Sequence, residues 1–211
     1  MWIIEILLII FGVVLALVLL TMLILFIMLL PGKKTKELKD FKWLLERPIA
    51  HRGYHLGNKE VPENSTVAFL RAIEKGYPIE IDLNLTKDHR VVVFHDEDLK
   101  RMCGIDKKVY DMTLEELKKC PLMGGKEYMM ELQEFLDLVH DQVGLLIEFK
   151  NSLNGKLEEA AYPILKNYKG RYVMQAFDPY SLKWFKKNAP EVPRGQLCFN
   201  YMGNKQIKWI R

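Results

Sequence analysis

Two histidines, four carboxylates and two cations stand in the middle of this 211-residue chain at spacings that suit one phosphate-directed reaction. His51-Arg52-Gly53 follows the short apolar run Pro48-Ile49-Ala50, and Pro62-Glu63-Asn64-Ser65 closes the Gly-containing turn after it. Imidazole, guanidinium and carboxylate thus fall within the reach of one loop. Glu80-Ile81-Asp82 and Glu148-Phe149-Lys150 each set two charged side chains two residues apart in an apolar run, so that on a strand both share one face. His95-Asp96 ends another such run, Val91 to Phe94.

Each fragment alone has an ordinary reading. A lone Glu-x-Asp is usually an exposed strand face, and a lone His-Asp at a strand end is usually a turn. Their joint occurrence, in order and each on a different strand candidate, points to chemistry. Glu80, Asp82 and Glu148 gathered in one place would repel, which either raises a pKa or recruits a hard cation. An all-oxygen donor set favours Ca²⁺ or Mg²⁺ over zinc. His51 and His95, with an unperturbed pKa of about 6.5, suit proton transfer near neutrality.

The elements that must position these groups alternate. Strand candidates are Pro48 to His51, Ile79 to Leu83, Val91 to His95, Leu145 to Lys150, Tyr172 to Phe177 and Pro193 to Phe199. Asn64-Ser65 offers a cap to a helix carrying Val67, Phe69, Leu70 and Ile73 on its apolar side, with Gly76 as its stop. Residues 97–144 form an excursion with a capping box at Thr113 to Glu116 and a helical pattern through Leu132, Phe135, Leu136 and Val139. Leu157 to Tyr168 reads as a helix, and Asp178-Pro179 opens another.

Strands alternating with helices predict a parallel sheet. Polar groups at the carboxyl ends of several strands predict the rim of a (β/α)₈ barrel in preference to an open sheet with one switch point. Gln175 shares a strand face with Val173 and Phe177, so it is expected to point into the barrel. Six strands are legible where such a barrel has eight, so the barrel is expected to be incomplete. His55, His89 and His140 are expected to be ordinary loop or surface residues.

Ahead of the barrel, Ile6 to Leu30 holds no charge and no proline and exceeds the roughly 20 residues that cross a bilayer. No basic start precedes this run and it is long for a signal peptide, so residues 1–31 are expected to be a single transmembrane helix. Lys33, Lys34, Lys36, Lys39 and Lys42 follow it in a basic linker, residues 32–47. The barrel domain, 48–211, is therefore expected on the cytoplasmic side of the cell membrane. Three cysteines without metal-ligand spacing suit a reducing compartment. A net charge of only +4 gives no case for nucleic acid.

The blocks His51-Arg52-Gly53, Pro62 to Ser65, Glu80-x-Asp82 with Thr86-Lys87-Asp88, Val91 to Asp96, Thr113 to Leu117 and Ile147 to Lys150 resemble the glycerophosphodiester phosphodiesterase family. The resemblance covers about residues 48–199. It implies a TIM barrel that uses a divalent cation to hydrolyse glycerophosphodiesters to sn-glycerol 3-phosphate and an alcohol. By position, Glu80, Asp82 and Glu148 resemble the metal ligands and His51 and His95 the acid/base pair. Arg52 and Lys150 resemble the phosphate contacts, and Glu63 a residue beside the metal and the glycerol, with Asn64 supporting its loop. Residues 97–144 resemble the family's small insertion over the active site. The attacking oxygen is either water or the substrate's own 2-hydroxyl. Two alternatives remain: a lysophospholipase D acting on membrane lipids, and a catalytically idle phosphodiester-binding membrane module.

Overall fold

The computed structural model describes residues 2–29, 41–150 and 153–198. The chain divides into two compact units, Met1–Phe41 and Lys42–Arg211. In the first, α1 (Trp2–Leu29) is apolar all round, with Glu5 in its first turn. Its span Trp2–Ile27 has a mean hydropathy of 3.3. At 1.5 Å per residue those 26 residues reach roughly 39 Å, enough to cross a hydrocarbon core of ~30 Å. Lys33, Lys34, Lys36 and Lys39 lie outside the described residues.

In the second unit the elements run α2 (Trp43–Glu46), β1 (Ala50–His51), α3 (Gly57–Glu60), α4 (Thr66–Glu74), β2 (Ile79–Leu85), β3 (Val91–Val93), α5 (Lys100–Cys103), α6 (Leu114–Leu117), β4 (Met130–Glu131), α7 (Leu132–Val139), β5 (Leu145–Phe149), α8 (Lys156–Asn167), β6 (Tyr172–Ala176), α9 (Pro179–Asn188) and β7 (Arg194–Gln196). Local chemistry sets the helix starts. Ser65 caps α4 by accepting from the Ala68 N–H, Thr113 and Glu116 form the capping box of α6, and Asp178 caps α9 with Pro179 in the first turn. Gly76 follows α4 in the left-handed region that a glycine takes without strain.

Strands β1, β2, β5, β6 and β7 are parallel and adjacent in that order. This is an arc of a TIM-type barrel whose sequential strands lie side by side. The parallel reading fails at β3, which runs antiparallel to the far half of β2 and pairs on its other edge with β4, also antiparallel. The reason is the turn: only Thr86 to Arg90 separates the two runs, far less than the dozen or more residues a parallel crossover needs. Seven strands are thus present among the described residues, five of them parallel.

Strand alternation then divides the chemistry. Ile79, Ile81, Leu83 and Leu85 of β2, Leu145, Ile147 and Phe149 of β5, and Met174 and Ala176 of β6 point outward into one core with α4, α7, α8 and α9. That core is closed by edge-to-face pairs, Phe69 on Phe135 at 4.6 Å and Phe149 on Phe185 at 5.0 Å. The intervening residues, among them Glu80, Asp82, Asn84, Glu148 and Gln175, belong to the inner face.

Residues 97–144 divide in packing. Leu99, Met102, Val109, Met112, Leu117, Cys120, Leu122 and Met129 form a second small core with Val92 and Phe94. The α7 residues Leu132, Phe135, Leu136 and Val139 join the main core instead. The expected linker 32–47 also ends early. Trp43 is buried, lies under Arg171 at 5.7 Å and packs so closely on Gly144 that a Cβ there would come within 2.3 Å of its ring. Residues from Lys42 onward therefore belong to the folded unit.

Candidate active site

The site grows from the pairing of β1, β2, β5 and β6. His51 pairs with Glu80, and Asp82, Glu148 and Gln175 stand in one row across β2, β5 and β6. Because register partners on parallel strands share a face, this row aims two carboxylates and an amide to the same side, with Glu80 two residues below. Carboxylate oxygens of Glu80, Asp82 and Glu148 come within 4.8 Å of one another, and all three residues are buried.

Electrostatics of the trio follow from that crowding. Burial, then the neighbouring Asp82 and Glu148 charges, push the Glu80 carboxyl well above its ordinary pKa. Burial and Asp82 raise Glu148 likewise, against the opposing pull of Lys150. Asp82 Oδ1 is buried and accepts no hydrogen bond, while Oδ2 accepts from Asn64 Nδ2 at 3.1 Å. Three converging oxygen donors, two of them held up in pKa and one with a buried oxygen that accepts no hydrogen bond, fit a hard divalent cation in chemistry.

Cationic side chains close over the trio. Lys150 Nζ donates to Glu148 Oε1 at 2.6 Å and lies 3.6 Å from Asp82 Oδ1. Arg52 donates its backbone N–H to Glu80 Oε2 at 3.1 Å, holds Glu63 Oε1 through Nη1 at 2.9 Å and sets Nε 3.3 Å from Asp82 Oδ2. Its φ of 56° bends the loop sharply after β1. Gly53 allows that bend to press on α4, since a Cβ at Gly53 would meet the Ala68 Cβ at 2.8 Å.

Glu63 does not join the trio. Asn58 Nδ2 donates to it at 3.0 Å, and Arg101 spans both of its oxygens at 2.6 and 3.1 Å. Burial opposes its ionisation, but the hydrogen bonds from Arg101 and Asn58 and the Arg52 charge outweigh it and hold its pKa at about 2. The expectation that Asn64-Ser65 caps α4 resolves into two tasks: Ser65 caps, and Asn64, at φ 51°, turns inward to Asp82.

The two imidazoles are held in different ways. His51 Nε2 lies 4.0 Å from Glu80 Oε2 on a half-exposed side chain. Burial, then the adjacent Arg52 charge, push its pKa down to about 4, so it is neutral at pH 7 and able to accept a proton. His95 lies within electrostatic reach of Glu148. Its Nδ1 bonds to Asp96 Oδ1 at 2.6 Å, and Asn84 Nδ2 holds the loop around it by donating to the Phe94 and Asp96 carbonyls at 2.9 and 3.1 Å.

All ten residues singled out by sequence fall in this one region, with Glu63 and Gln175 apart from the trio. Gln175 is buried in the row beside Glu148. Of the remaining histidines, His89 sits exposed in the β2–β3 turn and His140 caps the end of α7. His55 lies half-buried in the loop after β1. Asn84, Asp96 and Arg101 received no role from sequence. Asn84 carried a usable signal, being two residues beyond Asp82 on the same strand.

A family model described as the glycerophosphoryl diester phosphodiesterase family matches residues 51–208. A glycerophosphodiester phosphodiesterase of Caldanaerobacter subterraneus is 39% identical over 161 residues, covering 71% of this chain and 65% of its own length. A phosphodiesterase of Oleispira antarctica, solved with the product sn-glycerol-3-phosphate, superposes with a TM-score of 0.68 at 27% identity, over 76% of this chain and 68% of that one. A glycerophosphodiester phosphodiesterase structure from Thermotoga maritima gives 0.61 at 34% identity, over 72% and 62%. The chain thus spans about two thirds of the length of these relatives. With the barrel arc, the acidic trio and its flanking imidazoles all on the strands and loops that the match covers, this chain belongs to the glycerophosphoryl diester phosphodiesterase family.

Proposed function

We propose that this protein hydrolyses glycerophosphodiesters to sn-glycerol 3-phosphate and an alcohol with the help of a divalent cation, Ca²⁺ or Mg²⁺, at the inner face of the barrel. The observation that carries this reading is the meeting of Glu80, Asp82 and Glu148 within 4.8 Å, flanked by His51 and His95.

In this mechanism Glu80, Asp82 and Glu148 hold the cation. When bound, that cation would neutralise charge on a phosphoryl oxygen and make the phosphorus more open to attack. Arg52 and Lys150, already facing the trio, bind the remaining phosphoryl oxygens, the fixed charges that such a transition state needs. His51, kept neutral, removes the proton from the attacking oxygen. His95, its Nδ1–H held by Asp96, acts as the imidazolium and gives its Nε2 proton to the leaving alkoxide. Glu63 and Gln175 orient the glycerol part, and Asn64 orients Asp82. With α1 as a membrane anchor, the barrel would act at the cytoplasmic face of the cell membrane.

A second reading has one specific observation in its favour. A lysophospholipase D of Homo sapiens is 42% identical over 74 residues, 35% of this chain and 23% of that protein. An apolar helix long enough to cross a membrane would bring the site to a lipid substrate. Hydrolysis of glycerophosphocholine and of a lysophospholipid by the full chain in detergent micelles, titrated with Ca²⁺ and Mg²⁺, tests both. Faster cleavage of glycerophosphocholine supports the first reading, faster cleavage of the lysolipid the second. Full turnover in excess chelator would remove the cation from either.

A further inference from the structure

We propose that Arg101, carried by the small core of residues 97–129, is a positioning residue for His95, acting through the Asp96 carboxylate. This rests on the proton-transfer role given to His95 above, and it draws the insertion into the catalytic apparatus as a working part.

The contacts form one continuous chain. Arg101 Nε donates to Asp96 Oδ2 at 2.7 Å and Nη2 to Asp96 Oδ1 at 2.9 Å, a two-point grip that fixes the plane of the carboxylate. Asp96 Oδ1 in turn meets His95 Nδ1 at 2.6 Å. The other edge of the guanidinium grips Glu63 through Nη1 and Nη2. One planar group therefore serves two carboxylates at once, which a lysine ammonium cannot reproduce.

Arg101 is itself held from behind. Its neighbours Leu99 and Met102 are buried in the small core, where they pack with Val92 and Phe94 of the β3 segment that leads into His95. The backbone of the same loop is tied to β2 by Asn84. His95 is thus fixed from two sides, its main chain by the barrel and its ring by the insertion. Burial opposes ionisation of Asp96, yet the hydrogen bonds from Arg101 and His95 hold its pKa below the ordinary value. An ionised Asp96 accepts from Nδ1–H and leaves Nε2 as the atom turned toward substrate.

The test uses the full chain in detergent micelles with R101Q, R101K, D96N and the R101Q/D96N pair. R101Q is expected to lower kcat about 30-fold and D96N about 100-fold, with the kcat of the double variant within about twofold of D96N because both act on His95 along one line, while loss of the Arg101 grip on Glu63 falls on KM. R101K is expected to recover less than half of the loss. Losses that multiply in the double variant would overturn the proposal. Nitrogen-15 NMR of the His95 ring supplies a readout independent of turnover: at a pH where the ring is neutral, Nδ1–H is the expected tautomer in the wild type, leaving Nε2 to take up the proton it delivers, and R101Q is expected to mix the two. An unchanged tautomer in R101Q would also overturn it. Should R101Q fail to fold by circular dichroism, R101K carries both measurements. A wild-type chain that hydrolyses nothing, yet shows the tautomer shift on R101Q, would sink the hydrolase reading while upholding this coupling.

Discussion

The two faces of β2 and β5 are built from alternate residues of the same strands, and they do opposite things. Outward, Ile79, Ile81, Leu83, Leu145, Ile147 and Phe149 are fully buried among helices. Each such side chain adds about 1.5–3 kcal/mol to the folded state. Inward, one residue away in each case, Glu80, Asp82 and Glu148 are buried just as deeply against one another. Two carboxylates at that separation repel by roughly 3 kcal/mol at an effective dielectric constant of about 20. The outer face supplies the stability that lets the inner face hold an arrangement no isolated sheet would keep.

That contrast breaks most sharply on Asp82→Ala. Removing the carboxylate with the unused buried oxygen is expected to lower turnover at least about 1000-fold. In the absence of divalent cation the variant should lose no more than about 1 kcal/mol in urea, because relief of the repulsion offsets the partner that Asn64, Arg52 and Lys150 lose. A fall in the urea midpoint comparable to that of a core truncation would erase the distinction between the two faces.

The reverse dissociation is expected outside. Phe185 on α9 covers Phe149 at 5.0 Å and is fully buried. Phe185→Ala should cost about 3–5 kcal/mol, read as a lowered urea midpoint of the full chain in micelles. Turnover per folded molecule should stay within about threefold of wild type. A variant that kept its stability but lost its activity would show that the outer face shapes the site directly.

A smaller effect sits at the joint between the faces. Ser65 caps α4, the helix on which Gly53 presses, and lies beside the inward-turned Asn64. Ser65→Ala is expected to cost about 1 kcal/mol in the same unfolding measurement. A loss several times larger would mean that the cap also holds Asn64 on Asp82.

Much of this division was legible in the sequence, because period-two alternation is a local property. Glu80 and Asp82, and Glu148 beside Ile147 and Phe149, declare their faces without knowledge of the partner strand. The helix caps at Ser65, Thr113 and Asp178 are equally local. What the sequence hid is non-local. The antiparallel course of β3 depends on a short turn overriding the alternation of strands and helices. The four-contact grip of Arg101 depends on an excursion folding back across the barrel mouth, and nothing within several residues of Arg101 announces it.

The finest test of the comparison is the pH dependence of stability without divalent cation. Glu80 and Glu148 have folded-state pKa values raised by burial and by their neighbours. A carboxyl raised in the folded state contributes stability that is complete below its unfolded pKa, about 4.3, and drains away as pH rises toward its folded value. Glu63, held at about 2, does the opposite: its contribution is present above the unfolded value and is lost as pH falls toward 2. His51, held at about 4 when folded against about 6.5 unfolded, adds stability as pH rises between those values. Cation-free chain should therefore lose stability clearly only as pH climbs past about 6.5, and saturating Ca²⁺ or Mg²⁺ should flatten that decline by satisfying the trio. Glu80→Gln should flatten it as well and stabilise the cation-free protein at pH 7 by about 1 kcal/mol, the low end of the Coulomb scale for carboxylates this close. A slope that persisted unchanged in Glu80→Gln would place the strain outside Glu80, at Glu148 or at the buried Glu158 of α8, whose carboxyls are also raised by burial.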